Sequence, residues 1–146
     1  MRRYWIGVAS NEHVKKGIVG NFAQVCHGKQ GPLKRMSEGD WIIYYSPTEK
    51  FGESEPCRKF TAIGKVLSDE PYLFPMSDSF IPWRRNVKFI SSHEVAIEPL
   101  LDQLNFITNK QYWGLVFRRG FFEINPSDFE LIASAMIFSK STYSCR

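Results

Sequence analysis

The chain has 146 residues, of which 43% are hydrophobic and 23% charged, with a net charge of +4. That length supports one domain with a single sizeable core, and that balance excludes both a disordered chain and a strongly acidic one. A positive charge carried beside 12 Phe, 6 Tyr and 4 Trp favours polyanion partners and supplies more rings than one small core comfortably buries. Tyr4 to Ala9 reads as a first strand, and Ser10 or Asn11 then caps a short helical turn, Glu12 to Lys16, that Gly17 ends. Gly17 to Pro32, glycine-rich and polar, reads as a long surface loop, and Leu33 to Met36 as one helical turn. Gly39-Asp40 is a turn signal that launches an apolar strand with Trp41, Ile43 and Tyr45 on one face and Ile42 and Tyr44 on the other. Pro47 lacks an N–H and is expected to stop that strand, so that Tyr45 and Ser46 emerge beside a loop and present a ring and a hydroxyl to a flat ligand.

Ser46 to Cys57 reads as a polar hairpin loop, and Arg58 to Leu67 as a strand in which Gly64 marks a bulge or a close approach of another backbone. Glu70 to Pro75, with proline near both ends, crosses the surface as an extended connector. Trp83 to Ile90 alternates basic or polar residues with apolar ones, which predicts a strand with one basic face and one inward face. Glu98 to Leu104, with Pro99 in its first turn, reads as a short helix that plugs one end of a barrel. Tyr112 to Phe117 reads as another strand, followed by Arg118-Arg119-Gly120 and the strand Phe121 to Ile124. A Ser127/Glu130 capping box then opens a final helix of about three turns. Residues 1–138 thus form a single domain of α+β class, a small mixed barrel with short helices and a C-terminal helix, and 139–146 a polar, fraying tail.

The N-terminus, Met1-Arg2-Arg3-Tyr4-Trp5-Ile6, lacks a signal-peptide pattern, and no apolar run approaches the ~20 residues of a membrane span. Cys26, Cys57 and Cys145 follow no regular spacing, which fits free thiols in a reducing compartment. The expectation is a cytoplasmic monomer without membrane contact, cofactor or metal.

Tyr4-Trp5-Ile6, then Ala9-Ser10-Asn11-Glu12, Gly20-Asn21-Phe22, Gly39-Asp40 with Tyr44-Tyr45, and Gly64-Lys65-Val66 ahead of Glu70-Pro71-Tyr72 occur in that order. This succession resembles the EVE domain of the PUA-like superfamily, which is related to the YTH readers of methylated adenine in RNA. The resemblance runs from Tyr4 to about Met136 and implies a PUA-like pseudobarrel that reads modified nucleobases, on DNA or RNA, without catalysis. It implies a base pocket edged by Ser10-Asn11, with Phe22 standing where the related pocket has a tryptophan, Ala23 beside it, and Trp83 or Phe89 as the opposite wall. Tyr45 and Ser46 are candidate second members of that pocket.

The chemistry fits those residue types. Asn offers a base edge both a donor and an acceptor, and Ser offers one of each. One added methyl group discriminates by about 1 to 3 kcal/mol in a close pocket, so selectivity needs a closed aromatic cage that a flipped-out or single-stranded base can enter. Lys15, Lys16, Lys29, Lys34, Arg35, Arg84, Arg85, Lys88, Arg118 and Arg119 are the candidates for flanking phosphates. Trp5, Trp41 and Trp113 read as core and Asp40 as a turn bracket, whereas Asn11 suits helix capping and base recognition equally. Phe22 must line a pocket for the reader reading to hold. Two alternatives stay open: an RNA-binding module that grips shape and phosphates, and a small hydrolase or metal-dependent enzyme centred on Cys26 and His27.

Overall fold

Trp5 and Ile42 point to one side of a sheet and Ile6 and Ile43 to the other, and all four are fully buried. Alternation along neighbouring strands therefore splits the hydrophobic core into two layers. The computed structural model describes residues 2–144, with side chains through Ile137. Its sheet curls through eight strands: β1 (Tyr4–Val8), β2 (Phe22–Ala23), β3 (Trp41–Thr48), β4 (Pro56–Val66), β5 (Tyr72–Leu73), β6 (Trp83–Phe89), β7 (Val95–Ala96) and β8 (Phe121–Ile124). The order is β2-β6-β4-β3-β1-β8, with β5 paired to β6 and β7 to β4. Only the β1–β3 pair is parallel among these. One face packs Trp5, Ile42, Tyr44 and Val87 against Val14 of helix α1 (Asn11–Gly20) and Leu33 of helix α2 (Gln30–Arg35). The other packs Ile6, Ile43, Tyr45 and Phe60 against two 3-10 helices (Glu98–Gln103 and Trp113–Arg119) and helix α3 (Pro126–Ser144). This is the expected α+β, curled-sheet architecture.

Asp40 fixes the start of β3. Its carboxylate, 1% exposed, accepts from the Ser37 and Arg3 backbone N–H groups at 2.9 and 3.0 Å and from Trp5 Nε1 at 3.0 Å. The turn is thereby tied to β1, and the buried indole N–H is satisfied.

Several local expectations are corrected. Gly17 does not end α1, which runs on to Gly20. A Cβ at Gly17 would lie 2.8 Å from the Phe22 carbonyl oxygen, so this glycine admits the returning backbone. Asn21, at φ 56°, caps the helix in the left-handed region. Residues 17–32 are therefore no loop: they hold the end of α1, β2, a 3-10 turn (Cys26–Gly28) and the start of α2. Pro47 does not stop β3, because the register shifts between Ser46 and Thr48 and leaves the proline exposed at the irregularity. Residues 112–117 are not a strand. Trp113, Val116 and Phe117 share the inward side of a 3-10 helix that follows an Asn109 turn, whose Oδ1 accepts from the Gln111 and Tyr112 N–H groups. At α3 the cap is Asn125, whose Oδ1 accepts from the Asp128 N–H at 2.8 Å. Asp128, in turn, accepts from Asn105 and Phe106. The helix spans 19 residues, longer than three turns. The expected tail at 139–146 lies outside the residues whose side chains are described.

The connector after Glu70 becomes a narrow flap on β6. Tyr72 and Leu73 pair with Arg84 and Trp83, the Phe74 N–H donates to the Pro82 carbonyl at 2.9 Å, and the Met76 N–H to Phe80 at 3.0 Å.

Candidate functional site

β6 carries the site because β2 and the flap pair with successive parts of it. Phe22 sits opposite Asn86, and β5 opposite Trp83 and Arg84. The Phe22 ring rests on the end of α1. A Cβ on Gly20 would stand 2.7 Å from two of its ring carbons, so bare backbone is required there. Over the ring lies the Arg84 guanidinium, its central carbon 3.8 Å from the Phe22 centroid and 3.9 Å from that of Phe74 on the flap. Two rings thus enclose one flat cation. Its Nε donates to Gln24 Oε1 at 3.0 Å, and the Gln24 amide reaches Met76 Sδ at 3.9 Å.

Arg84 is 9% exposed, and burial pulls its pKa below the ordinary arginine range. Among the described residues no carboxylate pairs with it. Each cation–π contact is worth about 2 kcal/mol when desolvated, against several kcal/mol to bury an unpaired ion, so stacking only partly replaces a counter-charge. Gln24 is held rigidly beneath: the Tyr44 hydroxyl accepts from its N–H at 3.2 Å and lies 3.3 Å from its carbonyl, and His13 Nε2 approaches that carbonyl at 3.1 Å. A carbonyl only accepts, so His13 carries its proton on Nε2. Burial, with Lys16 and Arg84 adding to it, lowers the His13 pKa.

The surroundings combine apolar surface and positive charge. Leu73, Phe74, Met76, Phe80 and Ile81 are all exposed on the flap or at its base. Lys15, Lys16 and Lys50, with Glu12 and Glu49 between them, line a groove of about 640 Å³ that also includes Gly20, the seat of Phe22.

The other sequence candidates lie elsewhere. Ser10 caps α1, its Oγ accepting from the His13 N–H at 3.3 Å. Asn11, 3% exposed, donates from Nδ2 to Glu49 at 3.0 Å and to Glu94 at 3.2 Å, while its Oδ1 has no partner among the described residues. These carboxylates, after burial itself, push the Cys57 thiol up to about 11. Ser10 and Asn11 both sit at the start of α1, one helix length of about 15 Å from the turn into Phe22, although His13, whose N–H Ser10 caps, reaches the Gln24 carbonyl. Ala23 is fully buried in the core. Ser46, equally buried, hydrogen-bonds Thr61 at 2.8 Å instead of facing a ligand. Trp83 packs against the same core layer as Ala23, and Phe89 stacks on Tyr44 with centroids 6.3 Å apart, so neither is the opposite wall.

Arg85 turns inward. Its Nη1 donates to the Leu33 and Met36 carbonyls at 3.0 and 2.6 Å, pinning the end of α2, which removes it from the phosphate candidates. Arg84 and Arg85, adjacent and both buried, also overturn the expected basic face of β6. Lys29, Lys34, Arg35 and Arg118 are exposed, and the Arg35 guanidinium lies over Trp5 at 5.2 Å.

Tyr45 lines a different place on the opposite face of the sheet. Its ring stacks on Phe117 at 3.9 Å and borders a cavity of about 460 Å³ with Trp113, Tyr112 and Arg58. Burial raises its pKa, with the Arg58 charge opposing. The residues that sequence reasoning missed are Gln24 and Phe74. Gln24 follows Phe22 by two positions, one past the end of β2, a spacing that puts two side chains on one side wherever a chain runs extended. Phe74 gave none, since its place depends on flap pairing.

Cys26, His27 and Gly28 form three successive left-handed residues (φ 50°, 59° and 80°). Burial pushes the Cys26 thiol up, which disfavours the thiolate, and the His27 ring meets Phe51 edge-on at 5.9 Å instead of a carboxylate. Among the described residues, no three His, Cys, Asp or Glu side chains gather as metal ligands would.

The family model described as the EVE domain matches residues 3–135. A UPF0310 protein of Mycolicibacterium vanbaalenii is 49% identical over 133 residues, covering 91% of this chain and 92% of that one. The UPF0310 protein YdcG of Bacillus subtilis is 47% identical, with 91% of each covered. The YTH domain-containing protein mmi1, solved as an RNA complex, superposes with a TM-score of 0.66 at 15% identity, covering 99% of this chain and 87% of that one. The YTH domain of Zygosaccharomyces rouxii MRB1, solved with N6-methyladenosine RNA, gives 0.58 at 15% identity over 91% and 85% of the two chains. At such identities these two likenesses speak to the fold.

Proposed function

This chain belongs to the EVE domain family, and on that basis we propose that it is a non-catalytic nucleic-acid-binding domain that holds one modified base flat between Phe22 and Phe74. The observation that carries the reading is the planar Arg84 guanidinium, whose central carbon lies 3.8 Å from the Phe22 centroid and 3.9 Å from that of Phe74. A nucleobase is another planar group that stacks at such separations. Gln24, at the edge of the slot, offers both a donor and an acceptor for a base edge. Lys15 and Lys16 lie along the adjoining groove, where a strand's phosphates would run. The RNA in the two YTH complexes supports a nucleic-acid partner for the shared fold.

The test is to map backbone and side-chain NMR shifts as a short single strand carrying a methylated base is added. The largest changes are expected at Phe22, Gln24, Phe74 and Arg84. Changes confined to Lys34, Arg35 and Arg118, with those four unmoved, would overturn the reading in favour of binding by shape and phosphates.

A further inference from the structure

We propose that the Arg84 guanidinium is the resident occupant of the Phe22–Phe74 slot, and that a base enters only by displacing it. The inference rests on the reading of the slot given above. A guanidinium and a base are guests of one kind, each flat and each stacking on a ring face, and a gap already filled at 3.8 and 3.9 Å has no room for a second. Arg84 is also bound in a way that lets it leave. Nine-tenths buried, it has among the described residues no carboxylate partner, and its side chain hydrogen-bonds there through Nε to Gln24. Arg85 next to it shows what a fixed arginine looks like here, with Nη1 bonds to the Leu33 and Met36 carbonyls.

Phe74 sits on a flap that β5 ties to β6 through two residues and whose apolar side chains remain exposed. Displacement would free the Gln24 amide for the base edge and release a cation beside the strand's phosphates. A resident competitor lowers the affinity for every base by the same factor. At a given concentration only the bases that stack best, such as those with an added methyl group, then stay bound.

The experiment compares wild type, Arg84→Ala and Arg84→Lys for binding of free N6-methyladenosine and 5-methylcytidine, nucleosides that lack phosphate, by titration calorimetry. Lysine keeps the charge but replaces the flat group with a strongly hydrated ammonium that leaves more readily. Both variants are expected to bind whichever nucleoside the wild type binds about fivefold or more tightly than wild type does. In wild type, the Arg84 Nε–H resonance, shifted by the two rings, should move to its ordinary position as that nucleoside is added. Variants that bind the nucleoside no better than wild type, with the Arg84 resonance unmoved at saturation, would overturn displacement while leaving base binding intact. Absence of binding by all three proteins would overturn the slot reading together with it.

Discussion

The Phe22 ring lies directly against the backbone of Gly20, so closely that a Cβ would come within 2.7 Å of two ring carbons. The helix end thus sets the depth of the slot. Gly20→Ala gains about 1 kcal/mol of helix propensity, which offsets part of the strain of moving the ring. The expected outcome is a melting temperature within a few degrees of wild type and an affinity for single-stranded oligonucleotide about tenfold weaker, read by fluorescence anisotropy beside a thermal melt.

The two rings differ in what their removal costs. Phe22 is 8% exposed and Phe74 43%, so Phe22→Ala carries a folding penalty of about 3 kcal/mol that Phe74→Ala largely escapes. Loss of a stacking ring weakens binding by about 1 to 3 kcal/mol, or about 5- to 150-fold. Phe74→Ala is therefore the cleaner probe: a drop of that size in affinity, with a denaturation midpoint lowered less than by Phe22→Ala because only its stacking on Arg84 is lost.

His13 makes stability depend on pH. Burial holds its folded-state pKa below the ordinary value of about 6.5, so on acidification the unfolded chain takes up the proton first. The contribution is complete above about pH 6.5 and is lost as pH falls from there through the folded-state pKa, by up to about 1.4 kcal/mol per pH unit. Urea midpoints measured between pH 7.5 and 5 should fall in wild type. His13→Gln, which can still donate to the Gln24 carbonyl, should flatten the part of that fall due to His13.

How much of this was legible in the sequence follows from the range of the interactions. β3 and its two faces could be read because alternation is local, and Asp40 because Gly-Asp marks a turn. The stretch from Gly17 to Pro32 could not, because Asn21, Cys26 and His27 take left-handed conformations that usually announce themselves as glycine. Residues 112–117 fit either period, and only the Asn109 turn and packing on Tyr45 decide for a 3-10 helix. Arg85 reads as surface charge until the Leu33 and Met36 carbonyls are placed around it. Of the site, Phe22 and Arg84 were visible as a ring and a basic residue. The first stacks on the second through the β2–β6 pairing of segments far apart in the chain, and Phe74 arrives through the short β5–β6 flap, neither of which a local pattern records.

Asp40 should prove a major single contributor to stability. Asp40→Ala strands the Trp5 indole N–H and two backbone N–H groups, each costing about 1 to 3 kcal/mol when buried unpaired. A loss of about 3 kcal/mol or more is expected from urea denaturation, with Asp40→Asn intermediate because its amide oxygen can still accept.

The central claim is that a base is read between Phe22 and Phe74. Its most direct test is the affinity of wild type for one single strand with and without a modified base at a single position, measured at fixed salt across a set of methylated and hydroxymethylated bases. The account predicts that at least one modification binds about fivefold or more tightly than its plain counterpart, the scale of one methyl group in a close pocket, and that Phe74→Ala erases the difference. Equal affinities for every modified and plain strand, falling together as salt rises, would contradict it.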